Sequence, residues 1–485
     1  MNARGALLTV LAGAMLAGCS AGPAYRRPAV EMPVAWQVEA PWRAGTPNDL
    51  AAKGPWWERF GDPQLNALAQ KAMAGNQTLA AANARLAQAR AGLAASSASL
   101  FPQVNFGYRA ARQKISANRP LTNYNSPNFS TVQNDYTATL AVSYEVDLAG
   151  RVQSLVDGAG ATAEQSAADL ENTRLVLASD LAVNYFSLRA LDTELDVLER
   201  SIALQRRSLV LATDRHDLGA TSGLDMAQQQ ALLDTTLTQV DVLKRQRAQF
   251  EHAIATLTGT PAPQFALAPQ TTPLNPPAIP LGIPSDVLER RPDVASAERA
   301  MAAANAQIGV ASAAFYPSVS LAPTVGLDSR IFSSLFDAPS VLWSLGVSAT
   351  QVLFDGGRIS ANVDFARAGY DVTVANYRRV VLTAMQEVED GISGVAALDR
   401  AYIQAQRAIA SSGRVLEIAN DRYEGGVASY LDVITAQQSQ LNSERQAAQL
   451  LGQRMLVSVF LVKALGGDWQ GTPVAAVQPA AAPQH

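Results

Sequence analysis

Four stretches of the chain alternate apolar and polar residues with a period of two. In the second stretch Leu140, Val142 and Tyr144 share one face, while Thr139 and Ser143 share the other. This alternation predicts strands with one apolar face. The strands are predicted at about residues 103–111, 136–148, 318–327 and 341–352. Each has the length of a tilted membrane strand with its apolar face outward, and a soluble antiparallel sheet is the alternative.

The segments that join the strands of each pair, 112–135 and 328–340, are interpreted as polar loops. Outside the strands, apolar residues recur at alternating steps of three and four, for example from Leu177 to Leu209. This spacing is the heptad seam of long helices that pack in pairs. A helix from Arg151 to Asp214 would extend about 95 Å, which is more than a globular domain needs.

The long helices are predicted to form two hairpins whose tips repeat along the chain. Arg215 and Arg422 open the two copies, 207 residues apart, and the tips are placed at residues 218–223 and 425–430. In both copies a glycine stands where a helix needs a left-handed stop, and a serine followed three residues later by an aspartate starts the next helix. The residues concerned are Gly219, Ser222, Gly426 and Ser429.

The same offset relates other features, so the chain is interpreted as an internal duplication. Gly150-Arg151 corresponds to Gly357-Arg358, and Gly259 corresponds to Gly466. The predicted organisation is a signal peptide at 1–18, an extended arm at 19–62, a first repeat at 63–260, a Pro-rich connector at 261–284, a second repeat at 285–470 and a disordered tail at 471–485.

Composition limits the classes of function that remain. The 485 residues carry a formal net charge of −4 with 16% charged residues, and no basic stripe appears, so we expect no nucleic-acid partner. The single cysteine, Cys19, excludes a disulfide or a cysteine metal cluster within one chain. It follows a positively charged start and a short apolar run that ends in Leu16-Ala17-Gly18, as in a bacterial lipoprotein signal. A plain signal peptide with an incidental cysteine is the alternative.

No pattern of catalytic residues stands out. The sequence has no Gly-rich phosphate loop, no His-Glu-x-x-His and no Gly-x-Ser-x-Gly, and its three histidines are scattered. Glu387, Glu389 and Asp390 are interpreted as a solvated helix face, and Arg290-Arg291 before Pro292 as structural residues. We therefore predict no enzyme activity, no metal and no cofactor.

Several motifs match a known family in order along nearly the whole chain. The chain resembles the TolC-like outer-membrane factors, in the lipoprotein branch that serves RND-type efflux pumps (the NodT/OprM-like group). The motifs are Gly22-Pro23-x-Tyr25-x-x-Pro28, Trp56-Trp57-x-x-Phe60-x-Asp62-Pro63-x-Leu65, Tyr144 to Leu148 with Gly150-Arg151, Ser285 to Asp293, Phe354-Asp-Gly-Gly-Arg358, Glu387 to Asp390, Arg422-Tyr423-x-x-Gly426 and Ala464-Leu-Gly-Gly-x-Trp469.

The resemblance implies an α+β membrane protein that works as a homotrimer in the bacterial outer membrane. Four strands from each chain would share a twelve-stranded barrel, and the long helices would form a coiled-coil tunnel in the periplasm. It also implies an N-palmitoyl and S-diacylglycerol group on Cys19. The expected partners are outer-membrane lipid, a periplasmic adaptor (membrane fusion) protein and an inner-membrane RND-type transporter, and the expected function is passive export of drugs or other small molecules.

The resemblance further implies that Gly219, Ser222, Gly426, Val427 and Ser429 lie at tips that dock the adaptor. A separate implication is a gate just after the second tip. Relatives close this gate with a leucine ring and, one helical turn further, an acidic ring. The leucine position is Leu431, the acidic position is Thr435, and an acid stands instead at Asp432. An anionic gate is therefore in doubt, and Asp432 has the alternative role of offsetting the helix dipole.

Other functions stay open on the sequence alone. A channel for type I protein secretion or for heavy-metal efflux would carry the same architecture. A lipid-anchored coiled-coil scaffold without a pore is the alternative from another class, and the alternating strands speak against it. An envelope hydrolase is disfavoured by the missing motifs.

Overall fold

The computed structural model describes residues 22–26, 54–114, 132–219, 222–271, 274–277, 279 and 291–467. The predicted signal peptide, Cys19, most of the arm and the predicted tail lie outside them. Contacts divide the chain into two compact units, and each takes segments from both predicted repeats. Unit 1 comprises 1–29, 86–166 and 296–377, and unit 2 comprises 30–85, 167–295 and 378–485.

The helices repeat in length as well as in order. They are α1 Pro63–Gly75, α2 Gln77–Ser97, α3 Arg151–Asp217, α4 Gly223–Leu257, α5 Pro292–Ala313, α6 Arg358–Glu424 and α7 Tyr430–Ala464. Helices α3 and α6 have 67 residues each, while α4 and α7 have 35 each. Each helix of these two pairs begins and ends 207 residues from its counterpart, so the structure shows the predicted duplication.

Glycines set the helix boundaries at matching places in the two copies. Gly150 and Gly357 precede the long helices, and Gly259 and Gly466 follow the return helices, all with positive φ. A residue with a Cβ atom rarely adopts this conformation, whereas glycine does so freely. No helix in the described part of the chain is both long enough and apolar enough to cross a membrane.

Unit 1 contains an antiparallel sheet. Its strands are β1 Gln103–Lys114, β2 Val132–Val146, β3 Ser318–Leu321, β4 Thr324–Ser329, β5 Val341–Ser344 and β6 Val347–Thr350. Strand β2 pairs with β1 on one side and with both β3 and β4 on the other, and these pair in turn with β6 and β5. The six segments therefore follow the four predicted strand paths, the last two of which are each broken once.

The break between β3 and β4 has a direct cause. Pro323 has no N–H group to donate to a neighbouring strand. The backbone stays connected across it, because the Val142 N–H donates to the Pro323 carbonyl at 2.9 Å. The Ala322 N–H likewise donates to the Gly346 carbonyl at 2.9 Å, beside the second break.

One face of the sheet is apolar, as the alternation predicts. The cross-strand pairing places Phe106 opposite Leu140, Leu140 opposite Val325 and Val325 opposite Trp343. The side chains of Phe106 and Trp343 are 70% and 76% exposed, so this row is not covered by unit 1 itself. An uncovered apolar face of this kind requires an apolar surrounding or a partner.

The connection from β4 to β5 corrects the prediction of a polar loop at 328–340. It contains two short 3-10 helices, Phe332–Ser334 and Ala338–Ser340, and Leu335 is only 1% exposed. The ring of Phe332 packs edge-on against Tyr136 of β2, with centroids 5.6 Å apart. This segment is therefore an apolar lobe that packs against the sheet. Most of the other predicted loop, 112–135, lies outside the described residues.

Unit 2 is held together by ion pairs that also repeat. Arg247 of α4 pairs with Asp192 of α3 at 2.6 Å, and Arg454 of α7 pairs with Asp399 of α6 at 2.7 Å. The two pairs are related by the same 207-residue offset. In each repeat the long helix is thus tied to its return helix at the same level.

The predicted structural role of Arg291 agrees with its contacts in unit 2. Its side chain is 7% exposed, pairs with Asp293 and Glu387, and donates to the Ala464 carbonyl at 3.1 Å. Burial lowers the pKa of this guanidinium, but the two carboxylates outweigh that effect and keep the pKa above its usual value. Glu387 is therefore an ion-pair partner, and its assignment to a solvated face was wrong.

Trp56 begins a 3-10 helix, Trp56–Phe60, in a region that the sequence suggested was an extended arm. Its side chain is 3% exposed and packs edge-on against Phe60. Directly after this turn the Asp62 carboxylate accepts hydrogen bonds from the backbone of Gln64 and Leu65, which starts α1 at Pro63. Asp62 is thus the N-terminal cap of α1.

Candidate functional site

The second tip, between α6 and α7, is the first part of the candidate site. Helix α6 ends with Gly426 at φ +73°, and the Val427 N–H donates to the Arg422 carbonyl at 2.9 Å. The Gly426 N–H also donates to the Tyr423 carbonyl at 3.1 Å, which completes a Schellman-type helix end. Val427 follows with its side chain 68% exposed. The left-handed stop predicted at this glycine is confirmed.

The first tip, between α3 and α4, ends its helix in a similar way. Gly219 has φ +72°, and its N–H donates to the His216 carbonyl at 2.8 Å. Leu218 is 84% exposed beside it. Residues 220 and 221 are outside the described part, and Ser222 resumes it in an extended conformation directly before α4. Both tips therefore present an exposed apolar residue next to the helix stop.

The serines at the helix starts act differently from each other. The Ser222 side chain makes no capping hydrogen bond, so the cap predicted for it was wrong. At Ser429 the carboxylate of Asp432 accepts one hydrogen bond from the backbone N–H and another from the hydroxyl, both at 3.0 Å. Asp432 thus closes the first turn of α7, as its alternative role requires.

The predicted gate residues share the exposed side of α7. Leu431 is 55% exposed and Thr435, one turn further, is exposed as well, while its hydroxyl donates to the Leu431 carbonyl at 2.8 Å. The neighbouring Val433 and Ile434 are buried. Leu431 therefore lies on the solvent side of α7, opposite the buried residues of this turn. Asp432 is also exposed on this helix end.

Below the second tip lies a small core that ties the two hairpins together. Tyr430 is 5% exposed and packs with Ala212 of the first hairpin, and its hydroxyl donates to the Gln229 side chain at 3.0 Å. Gln229 is fully buried and donates in turn to the Gln205 carbonyl at 3.1 Å. The first residue of α7 is thus fixed to both helices of the other hairpin.

Burial, and next the neighbouring Tyr423, raise the pKa of Tyr430 to about 12. Tyr430 therefore remains protonated near neutral pH and keeps donating its hydrogen bond. The ring of Tyr423 lies tilted against that of Tyr430 with centroids 5.0 Å apart, and the guanidinium of Arg215 lies 4.9 Å from the Tyr423 ring centroid. The base of the second tip thus combines an aromatic contact within its own hairpin with a cation–π contact to the first hairpin.

Sequence reasoning missed Tyr430. The signal was available in the duplication, because Tyr430 stands where the first tip has Gly223. In this chain, the large aromatic residue that replaces the glycine is the one that contacts the other copy. The predicted residues at each tip are close together in the structure, while Cys19 lies outside the described residues.

Comparison with known proteins decides the family. A family model described as outer membrane efflux protein matches residues 68–260 and 283–467, which is more than half of the chain. The chain belongs to the outer membrane efflux protein family. The two matched segments correspond to the two repeats of the internal duplication.

Individual relatives agree along almost the full length. The toluene efflux pump outer membrane protein TtgF of Pseudomonas putida is 31% identical over 471 residues, covering 95% of this chain and 96% of that protein. The pyoverdine export outer membrane protein OpmQ of Pseudomonas aeruginosa is 30% identical, covering 96% and 97%. The solved outer-membrane channel OprN superposes with a TM-score of 0.85 at 29% identity, covering 93% and 100%.

This outer membrane efflux protein is therefore the outer-membrane channel component of an efflux pump. The resemblance to TolC-like factors and the predicted fold class are confirmed. As a part of such a pump it works with further pump components. Its fold is similar to that of the solved outer-membrane channel OprN.

Proposed function

We propose that three copies of this efflux protein form a passive export duct that is closed at rest by a ring of Leu431 side chains. The observation that carries the proposal is the sheet of unit 1. Among the described strands it ends on one side at β1 and on the other at β5 and β6, with no further strand paired there. Open edges are not tolerated in lipid, so the sheet must be completed by other copies. Three copies of four strand paths give a twelve-stranded barrel.

The gate assignment rests on the exposure of Leu431. Leu431 stands on the solvent side of α7 with more than half of its surface exposed, while Val433 and Ile434 beside it are buried. Three such leucines around a common axis would form an apolar constriction that resists ions by dewetting. Asp432 is engaged by Ser429, and Thr435 carries no charge, so we propose an apolar gate without an acidic ring.

We further propose that the tips dock a periplasmic adaptor, which connects the duct to an inner-membrane RND-type transporter. Val427 and Leu218 support this proposal, because each is an exposed apolar side chain held next to a rigid helix stop. Apolar residues presented on a fixed backbone are suited to a partner helix tip. Gly219, Ser222, Gly426 and Ser429 shape the surface on which these side chains stand.

The lipid anchor on Cys19, in the N-palmitoyl and S-diacylglycerol form, is also a proposal. It is supported by the place of the nearby Gly22, whose Cα would lie only 3.4 Å from a Cβ added at Gly309. The Asn305 side chain donates to the Pro23 carbonyl at 2.9 Å, so this segment is seated on α5, which leads directly into β3.

For the substrate we propose small organic molecules. Relatives of similar identity are named for toluene and for pyoverdine, which differ widely in chemistry. This range agrees with a duct whose selectivity is set by the transporter. Neither relative is named for protein secretion or heavy-metal efflux.

The proposal is tested on purified full-length protein by native mass spectrometry and by single-channel recording in planar bilayers. We expect a mass of three mature chains and small, rare openings at rest. A monomer would contradict the proposed duct. So would a trimer that never conducts, even when Leu431→Ser removes the apolar gate. Either result would favour the alternative of a scaffold without a pore.

A further inference from the structure

An apolar cleft lies on the exposed face of the sheet in unit 1. Its volume is about 640 Å³, within the range of ligand pockets. The floor is formed by neighbouring strands and the wall by the lobe between β4 and β5. The floor residues are Phe106, Tyr108, Ala138, Leu140, Val325 and Leu327, and the wall residues are Phe332, Leu335, Phe336 and Val341.

The floor is hollow at one position because of Ala138. The pairing places Ala138 between Tyr108 and Leu327, in a row whose other members are large. The adjacent row contains only large side chains, Phe106, Leu140, Val325 and Trp343. A small residue among large ones leaves a depression that solvent water fills poorly.

The wall is built in advance of any ligand. The hydroxyls of Ser329 and Ser334 lie 2.8 Å apart, and the Ser340 hydroxyl donates to the Ser334 carbonyl at 2.7 Å. These bonds tie both ends of the lobe to its middle. Leu335 is buried beneath it, whereas Phe336 projects with 77% of its side chain exposed. A preformed apolar cleft loses little order when a flexible chain enters it.

Basic residues follow the apolar rows on the same face of β1. Side chains alternate along a strand, so Arg112 and Lys114 share the face of Phe106 and Tyr108. Arg330 opens the lobe directly after β4. The chain connections to α3 and α5 are at the opposite end of the sheet, since α3 directly follows β2 and α5 precedes β3. The basic rim thus lies at the end of the sheet opposite these two connections.

We propose that the cleft binds one acyl chain of an anionic membrane lipid, whose phosphate headgroup lies at the rim of Arg112, Lys114 and Arg330. The cleft floor is continuous with the apolar face of an outer-membrane protein, so lipid is the surrounding that this surface meets. Apart from the hydroxyls of Tyr108 and Thr139, the side chains that line the cleft are apolar, which suits an acyl chain better than a hydrophilic solute. The cationic rim selects the headgroup.

The test uses the full-length protein in phosphatidylcholine vesicles that contain a small fraction of phosphatidylglycerol with a diazirine at the end of one acyl chain. After illumination, labelled peptides are identified by mass spectrometry. We expect the label to concentrate on residues 330–341 and on the peptide with Phe106 and Tyr108. An even distribution of label over the apolar face would mean an ordinary lipid-facing surface and would overturn the proposal. So would an unlabelled lobe, which would mean that a neighbouring copy covers the cleft.

A matched pair of variants isolates the depression. Ala138→Leu fills the floor, while Ala349→Leu adds the same side chain to the same sheet face outside the cleft. We expect Ala138→Leu to lower labelling of the lobe by about fivefold or more, and Ala349→Leu to change it by less than about twofold. Phe336→Ser, at an exposed side chain that folding does not need, should also lower it. Unchanged labelling in both cleft variants would refute the cleft.

The rim is tested with the diazirine on phosphatidylcholine instead. We expect wild-type protein to label the lobe more strongly with the anionic analogue than with this zwitterionic one. The double variant Arg112→Gln with Arg330→Gln should remove the difference while labelling by the phosphatidylcholine analogue persists. Equal labelling of wild-type protein by both analogues would reject the headgroup site.

Discussion

At the scale of single residues, two neighbours in α7 have opposite environments. Tyr430 is buried and hydrogen-bonded to the other hairpin, whereas Leu431 is 55% exposed. The helix geometry turns successive side chains by about 100°. One residue therefore holds the second hairpin in place, and the next is left on the exposed side of α7, where a gate residue is needed.

We predict that Leu431→Ser leaves a folded trimer but raises resting conductance and vancomycin sensitivity. Serine removes the apolar surface on which dewetting depends. A rise of about tenfold would correspond to only about 1.4 kcal/mol of barrier. Single-channel recording measures the first effect and growth inhibition the second.

Two variants serve as controls for the gate. Leu224→Ser makes the same change at the equivalent exposed position of the first tip, and we expect little effect on conductance. Asp432→Asn should act weakly on conductance and mainly cost about 0.3–1 kcal/mol of local stability at the start of α7. If the Leu431→Ser trimer stays as tightly closed as wild type, Leu431 is a packing residue between subunits.

At the scale of elements, the two tips combine a rigid stop with an exposed apolar residue. The second tip is the better fixed, since Asp432 closes α7 and Tyr430 holds it to the first hairpin. A partner that binds there meets a surface that is ordered beforehand, which reduces the entropic cost of docking. Substitutions at the tips should therefore weaken binding of the adaptor while leaving formation of the trimer intact.

We predict that Val427→Glu weakens cross-linking to the adaptor by about tenfold or more, because a charge in an apolar contact costs well over 1 kcal/mol. Val427 is exposed, so the trimer itself should still form. Val427→Ala, which keeps the site small and apolar, is the matched control. Survival of both efflux and cross-linking in the glutamate variant would disprove docking at this tip.

The helical elements could be read from the sequence almost completely. The heptad spacing and the glycines give α3 and α6 to within a few residues, because both signals are local. The contact between Tyr430 and Gln229 joins residues 201 positions apart, and no local pattern reports it. The lobe after β4 was missed for another reason. Its apolar residues are interleaved with serines and an arginine, so its composition looks polar although Leu335 is buried.

At the scale of the whole molecule, attachment to the membrane has two parts. The sheet offers an apolar face with residues such as Trp343 exposed, and the N-terminal segment is seated on α5 through Pro23. A covalent lipid contributes about 0.8 kcal/mol for each buried CH₂ group. The proposed shared barrel would place far more apolar surface in the bilayer, so the lipid should guide and tether the chain while the barrel keeps it there.

We therefore predict that Cys19→Ser abolishes incorporation of labelled palmitate, while trimer delivered to the membrane retains its conductance. Ser20→Ala, next to the cysteine, is the matched control and should be labelled like wild type. Gly309→Leu tests the seat separately, because a Cβ there would lie 2.5 Å from the Ser154 hydroxyl and 3.4 Å from the Gly22 Cα. This variant should keep its palmitate label but expose the N-terminal segment to protease. Undiminished palmitate labelling of Cys19→Ser would refute the lipid anchor, and loss of all conductance would show that the lipid, and not the shared sheet, holds the channel in the membrane.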